Sequence, residues 1–219
     1  VIITLMPDFF SEIKTSDHPP VYKYFCDGEW LTSKSGKLID IISPVSGKSL
    51  GKIQSLTKEE IDEAVEAAFW AQMAWVKVPV DKRARILHLA ADWLRDENNL
   101  IHLTNLLILE IGKTKADAED EILRTADLID YFAEEGRALR GEVLDADSFP
   151  GYEKGKTAYI SRVPQGVILS ISPFNYPVNL SASKIAPALI TGNAVVVKPA
   201  TQGCISTLHL VEIFVRAGL

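Results

Sequence analysis

Apolar residues recur along this chain in three rhythms, and each predicts a different kind of element. Over residues 21–53 short apolar runs alternate with the turn pairs Asp27-Gly28, Ser35-Gly36 and Ser46-Gly47, which predicts two or three short strands in small hairpins. A helical rhythm follows. Thr57-Lys58-Glu59-Glu60 reads as a capping box, in which a hydroxyl and a carboxylate each satisfy a backbone amide that the first turn leaves free, so a helix should run to about Trp75. Pro79 breaks it, Asp81 is placed to cap the next, and Ile86, Leu87, Ala90, Trp93 and Leu94 form a buried stripe through Arg95. A third helix is expected over 99–110 with Gly112 as its stop, and Thr114 opens a fourth with Ile122, Ala126 and Ile129 on one face.

The third rhythm alternates strand and helix. Residues 156–163 and 166–171 are strand-like, 178–191 helical, 194–197 a continuous apolar strand, and 205–217 helical again. Such alternation implies parallel strands joined by right-handed crossovers, the first half of a doubly wound dinucleotide fold. The fold class is therefore α/β. Tyr159 to Arg162 also alternates, ahead of Pro164-Gln165-Gly166, and is expected to pair outside that sheet. The chain divides into hairpins and a helical layer (1–143), a ribbon (144–165) and the strand-helix-strand-helix unit (166–219).

Composition narrows the chemistry. With 47% hydrophobic residues the chain has ample material for a packed core, and a net charge of −6 argues against a general nucleic-acid binder, which needs a basic face. Cys26 and Cys204 build no disulfide framework and sit in no zinc spacing, nor do His18, His88, His102 and His209. No metal is expected. The apolar opening Val1 to Met6 lacks a basic flank and meets Asp8 too soon for a signal peptide, and no run approaches the roughly 18 to 20 apolar residues of a membrane span. A cytoplasmic protein that takes a small molecule is the expectation, without nucleic-acid or membrane partners. Val1 in place of Met, and Gly218 as a helix stop with one residue after it, read as the ends of a piece of a longer protein.

Candidate chemistry concentrates in Pro173-Phe174-Asn175-Tyr176-Pro177 and in the run from Gly192 to Pro199. An Asn amide in a turn between a buried strand and a helix suits donation to a developing oxyanion; capping that helix is the plainer alternative. The first strand-to-helix turn contains no glycine, so the usual Gly-rich phosphate cradle is absent. Gly47-Lys48-Ser49 imitates the end of a phosphate loop but has Ile42 where the loop needs glycine, and reads as a turn. Arg124 lies among Asp120, Glu121 and Asp127, where helical ion pairs ordinarily explain an arginine. Cys204 opens a helix, where the dipole lowers a thiol pKa, yet no His or acid nearby in sequence supplies a base.

The run from Val163 to Gly203 closely resembles the aldehyde dehydrogenase superfamily. Phe174-Asn175-Tyr176-Pro177 and Lys198-Pro199-Ala200-Thr201-Gln202-Gly203 look like its non-phosphorylating glyceraldehyde-3-phosphate branch, and the resemblance extends over 22–219. It implies an aldehyde oxidised with NADP, NAD remaining open, through a Cys thioester hydrolysed by a water that a Glu activates. That Cys and that Glu, with the Gly-rich turn for the pyrophosphate, would lie beyond Leu219, so the piece alone is expected to be inactive. By resemblance Asn175 donates to the substrate oxygen and Lys184 lies near the water pathway. Ile171, Ser172, Pro173, Phe174, Lys198 and Thr201 line the cofactor, with neutral Thr201 where NAD-preferring relatives carry Glu. Arg124, within Glu-x-x-Arg-Thr-Ala, and Tyr176 bind the substrate phosphate, and the ribbon joins subunits into a dimer or tetramer. Two alternatives stay open: another aldehyde or semialdehyde, and a non-catalytic truncated protein with assembly or nucleotide-binding surfaces only.

Overall fold

The computed structural model describes residues 10–145, 150–151 and 155–219 and opens with two antiparallel hairpins. In the first, β1 (Tyr24–Cys26) pairs with β2 (Glu29–Leu31), and the two-residue turn holds Asp27 at φ 50° and Gly28 at φ 82°. Two left-handed residues in succession give the turn whose twist matches that of the strands. In the second, β3 (Leu38–Ile42) pairs with β4 (Ser49–Gln54). The four strands exceed the two or three expected, because alternation over three residues is too short to register as a period.

Four helices follow. The capping box forms at α1 (Lys58–Trp75): Thr57 Oγ1 accepts from the Glu60 amide at 3.2 Å, and Glu60 Oε2 accepts from the Thr57 amide at 2.8 Å. Glu60 also accepts from the Ser33 hydroxyl and the Lys34 amide, both at 2.7 Å, which staples the hairpins to the helix. The Ser33 hydroxyl, then the two backbone amides, hold its carboxyl below the usual range. The next helix, α2 (Val80–Arg95), starts before Asp81 is reached, because Pro79 itself takes the entry position at φ −55°. Asp81 is therefore not the cap that the sequence suggests; it binds Arg85 at 2.9 Å and Arg137 at 3.0 Å. Asp96, missed in the sequence, caps α3 (Glu97–Ile111), which ends on Gly112 at φ 79° as expected. Thr114 caps α4 (Lys115–Ala138), whose buried stripe is Ala118, Ile122, Ala126, Ile129 and Ala133.

Beyond these helices β5 (Glu142–Asp145) and β6 (Thr157–Ile160) make an antiparallel ribbon in a sheet of their own. The strand β7 (Val167–Ile171) then runs through α5 (Pro177–Ile190) to β8 (Ala194–Lys198), which pairs with it in parallel, and α6 (Cys204–Arg216) follows. The strand-helix-strand-helix unit thus has the expected topology, and the ribbon pairs outside its sheet as expected. Helices α2, α4, α5 and α6 meet in a core containing Leu87, Leu94, Ile129, Ile190 and Phe214. Where α4 crosses α5 the approach requires Gly136, since a Cβ there would run into the side chain of Ile190.

Neither α5 nor α6 caps its own start. The helical layer does it for both, from residues distant in sequence. Glu121 Oε1, on α4, accepts from the amides of Val178 at 2.9 Å and Asn179 at 3.1 Å. Glu110, on α3, accepts from the amides of Gly203 at 3.1 Å, Ile205 at 2.8 Å and Ser206 at 2.9 Å, and from the Ser206 hydroxyl at 2.5 Å. Both carboxylates are fully buried. At the other end of α5 the carbonyls of Leu189, Ile190 and Gly192 accept from Trp75 Nε1 at 2.8 Å, Arg83 Nε at 3.0 Å and Gln72 Nε2 at 3.0 Å. The crossover helix is held at both ends by α1, α2 and α4.

Burial pushes the Glu110 carboxyl up, and its four bonds pull it back. A buried donor left without a partner costs about 1 to 3 kcal/mol, so Glu110→Ala should lower unfolding stability by several kcal/mol in urea titrations. Glu110→Gln, which keeps one acceptor oxygen, should lose less; an unshifted midpoint for Glu110→Ala would show that the amides find other partners.

A second test concerns His88, on α2, whose Nδ1 lies 2.6 Å from Asp130 and Nε2 2.7 Å from Glu134, both on α4. Partial burial alone would lower its pKa from 6.5, but the bonds to Asp130 and Glu134 outweigh it and the net shift is upward. A raised folded pKa means that the imidazolium's contribution is complete below the unfolded value and fades as pH climbs through the folded one. The stability gap between parent and His88→Gln should accordingly be wider near about pH 5.5 than near about pH 8.5. Equal gaps would remove the charge from the account.

Candidate active site

At the C-terminal edge of the parallel pair the register sets Ile171 opposite Lys198. Ligands of open α/β sheets bind at this edge. Ser172 turns inward: its hydroxyl shares a 2.7 Å hydrogen bond with Ser181 on α5, so only its backbone faces the edge. Pro173, Phe174, Asn175 and Tyr176 are exposed, and Pro177 starts the helix with a ring whose missing N–H costs nothing there. Asn175 does not cap α5, the plainer alternative that its sequence position allowed. Glu121 has taken that job, and the Asn175 carboxamide makes no hydrogen bond among the described residues.

Beside this turn stands Lys113, from the loop between α3 and α4. Its ammonium lies 2.5 Å from Glu121 Oε2 and 3.4 Å from the centroid of the Tyr176 ring. Neither the lysine nor the glutamate was legible as part of a site, because nothing local ties residue 113 or 121 to residue 176. Arg124 is exposed, and its bond to Asp120 is long at 3.4 Å. The same turn of α4 touches the first turn of α5 twice, through Glu121 and through Thr125, whose hydroxyl accepts from Asn179 Nδ2 at 3.3 Å. The chain therefore gathers Asn175, Tyr176 and the α4 turn that carries Arg124 at one corner. Lys184 is not drawn into it; its ammonium folds back onto the Leu180 carbonyl of its own helix at 2.9 Å.

Lys198 and Thr201 are both exposed, and the Lys198 ammonium binds only the neighbouring Pro199 carbonyl, at 3.2 Å. Their loop is clamped from behind by Gln202, which donates to the carbonyls of Ile42, at 3.2 Å, and Glu110. Gln202 is a third residue to which the sequence reading gave no role. This surface fits the phosphorylated ribose of a dinucleotide, since the Lys198 ammonium and a neutral Thr201 are exposed with no carboxylate bound to either among the described residues. The pyrophosphate fits neither helix start, because Glu121 and Glu110 already occupy the amides that would hold it.

Cys204 lies at the start of α6 with Glu110 on that same helix end. Burial, and then the Glu110 charge, push its thiol up to about 12, the reverse of what the helix dipole alone would do. Burial also raises Cys26. Among the described residues no His, Cys, Asp or Glu cluster is arranged to hold a metal, and no helix is long and apolar enough to cross a membrane.

The chain is similar to known proteins over most of its length. An NADP-dependent glyceraldehyde-3-phosphate dehydrogenase of Arabidopsis thaliana is 48% identical over 211 residues, which cover 95% of this chain and 42% of that protein. A D-glyceraldehyde dehydrogenase (NADP(+)) of Thermoplasma acidophilum is 36% identical, covering 90% and 38%. The crystal structure of NADP-dependent glyceraldehyde-3-phosphate dehydrogenase from Bacillus halodurans C-125, complexed with NADP, superposes with a TM-score of 0.87 at 45% identity, covering 90% of this chain and 41% of that one. The chain thus spans about two fifths of the length of the relatives it matches. Residues 30–219 match the aldehyde dehydrogenase family, and the chain belongs to that family.

Proposed function

We propose that the protein to which these residues belong oxidises glyceraldehyde 3-phosphate to 3-phosphoglycerate with NADP. This chain supplies the oxyanion donor, the ribose end of the cofactor site and part of the phosphate site. The observation that carries the reading is the Asn175 carboxamide, exposed at the C-terminal edge of the parallel strands while Glu121 does the capping. As a thiolate adds to the aldehyde carbon, the carbonyl oxygen gains negative charge, and the Asn175 N–H stabilises that charge more than it stabilises the neutral carbonyl.

When bound, NADP supplies the acceptor for the hydride. Ile171, Pro173 and Phe174, with the backbone of Ser172, would flank it, and Lys198 and Thr201 would hold the ribose. A glutamate in place of Thr201 would repel a 2′-phosphate by about 4 kcal/mol per unit charge pair at about 4 Å and an effective dielectric near 20, so the neutral residue favours NADP over NAD. Lys184, engaged only with its own helix, is assigned to the water pathway. Cys204 is unsuited as nucleophile because it is buried and its thiol is pushed up, and the thiol of partly exposed Cys26 is also shifted upward. The thiol and the general base therefore come from outside residues 1–219, which alone should turn over no aldehyde. The β5–β6 ribbon, with Val143 and Tyr159 exposed, supports assembly of copies into a dimer or tetramer. The free cysteines fit a cytoplasmic setting.

In the whole enzyme Asn175→Ala should cut kcat by roughly a hundredfold or more with the fold intact, the usual loss for one oxyanion donor. A kcat equal to the parent's would remove the assignment.

Arg124→Leu separates the substrates. It should lower kcat/KM for glyceraldehyde 3-phosphate roughly ten- to a hundredfold, and far less for glyceraldehyde, because only the former presents a dianion to the guanidinium. Equal losses on both would make Arg124 a structural partner of its acidic helix neighbours and leave the substrate an unspecified aldehyde.

A further inference from the structure

We infer that Lys113 is a positioning residue for Tyr176, held in place by Glu121, and that this buried ion pair sharpens recognition of the phosphorylated end of the aldehyde; the second half rests on the substrate reading above. The Lys113 side chain is only 9% exposed and Glu121 not at all, so the ammonium is out of reach of a ligand at the open edge. Its two neighbours define what it does. One is Glu121 Oε2 at 2.5 Å, and the other is the face of the Tyr176 ring, 3.4 Å from ammonium to centroid.

Tyr176 is otherwise weakly held. It is the last residue before α5, makes no capping bond through its side chain, is 40% exposed, and its hydroxyl has no hydrogen bond among the described residues. A tyrosine there is free to swing about its first side-chain torsion unless something fixes the ring plane. A cation on the ring face does so, because the attraction falls away as the ring turns edge-on. The cation in turn is anchored by the carboxylate whose other oxygen binds the Val178 and Asn179 amides. One carboxylate therefore fixes both the start of α5 and the ring that leads into it, and the residue that carries the ring stays 40% exposed. A purely structural ion pair would not need an aromatic ring over the ammonium, nor an aromatic residue with an unused hydroxyl.

The test is a double-mutant cycle in the whole enzyme. Lys113→Met is combined with Glu121→Gln, which neutralises both buried charges together and keeps an oxygen to cap α5. This pair is made in the parent and in Tyr176→Leu, and kcat/KM is measured for glyceraldehyde 3-phosphate and for glyceraldehyde. The ratio of the two should fall about ten- to thirtyfold in the parent background and less than about twofold in Tyr176→Leu. The same fall in both backgrounds, or no fall in either, overturns the proposal. Should the pair not fold, Lys113→Gln, which retains a hydrogen-bond donor to Glu121, is read through the same cycle with a smaller expected fall. If the parent enzyme itself shows no preference for the phosphorylated aldehyde, the substrate reading fails separately. The positioning role is then decided by the crystal structure of the Lys113 variant, in which a displaced Tyr176 ring supports it and an unmoved ring sinks it.

Discussion

Two buried carboxylates hold this structure together at the point where its chemistry begins. Glu121 on α4 and Glu110 on α3 accept the free amides at the starts of α5 and α6, groups that each helix leaves unsatisfied and that a buried position makes costly to strand. The strand-helix-strand-helix unit and the helical layer are consequently not two modules in loose contact. Each crossover helix needs a residue from the layer to begin. At its far end α5 needs three more, Gln72, Trp75 and Arg83, to satisfy its last carbonyls.

That arrangement explains the site in two ways. Anions already sit at both helix starts, so the dipole that elsewhere receives a dinucleotide pyrophosphate is spent on side chains, and the absence of a Gly-rich first turn follows. The same anion raises the Cys204 thiol where a helix start would otherwise lower it. Relieved of capping, the turn from Pro173 to Tyr176 is exposed at the sheet edge. Among the described residues Asn175 presents an unengaged amide and Tyr176 an unengaged hydroxyl, the two groups to which the proposed chemistry and specificity are assigned.

The lysine at 113 extends the same logic by one shell. A carboxylate with one oxygen on backbone amides has a second oxygen to satisfy, and the ammonium that satisfies it lands on the Tyr176 ring. Structural need and site geometry are met by one group. Gln202 does similar work at the ribose edge, tying the loop of Thr201 to the carbonyls of β3 and α3.

The sequence by itself determined the elements and their order: the capping box at Thr57, the helix start at Thr114, the stop at Gly112, the apolar stripe of α4, and the parallel unit from 166 onward. Each is written in a local period or a local cap, and local rules reach only a few residues. It also marked Asn175, Tyr176, Lys198 and Thr201 as candidates, because these lie in two short, distinctive runs. Tertiary structure alone decided what surrounds them. That Glu121 would cap α5, that Lys113 would lie on Tyr176, that Cys204 would be buried beside Glu110, and that Lys184 would turn back on its own helix all depend on contacts between distant segments. Glu121 looked like any helix-surface acid among its charged neighbours. Its burial and role come from the face that α4 presents to α5, and that face is chosen by the packing of the whole core, not by the residues on either side of it.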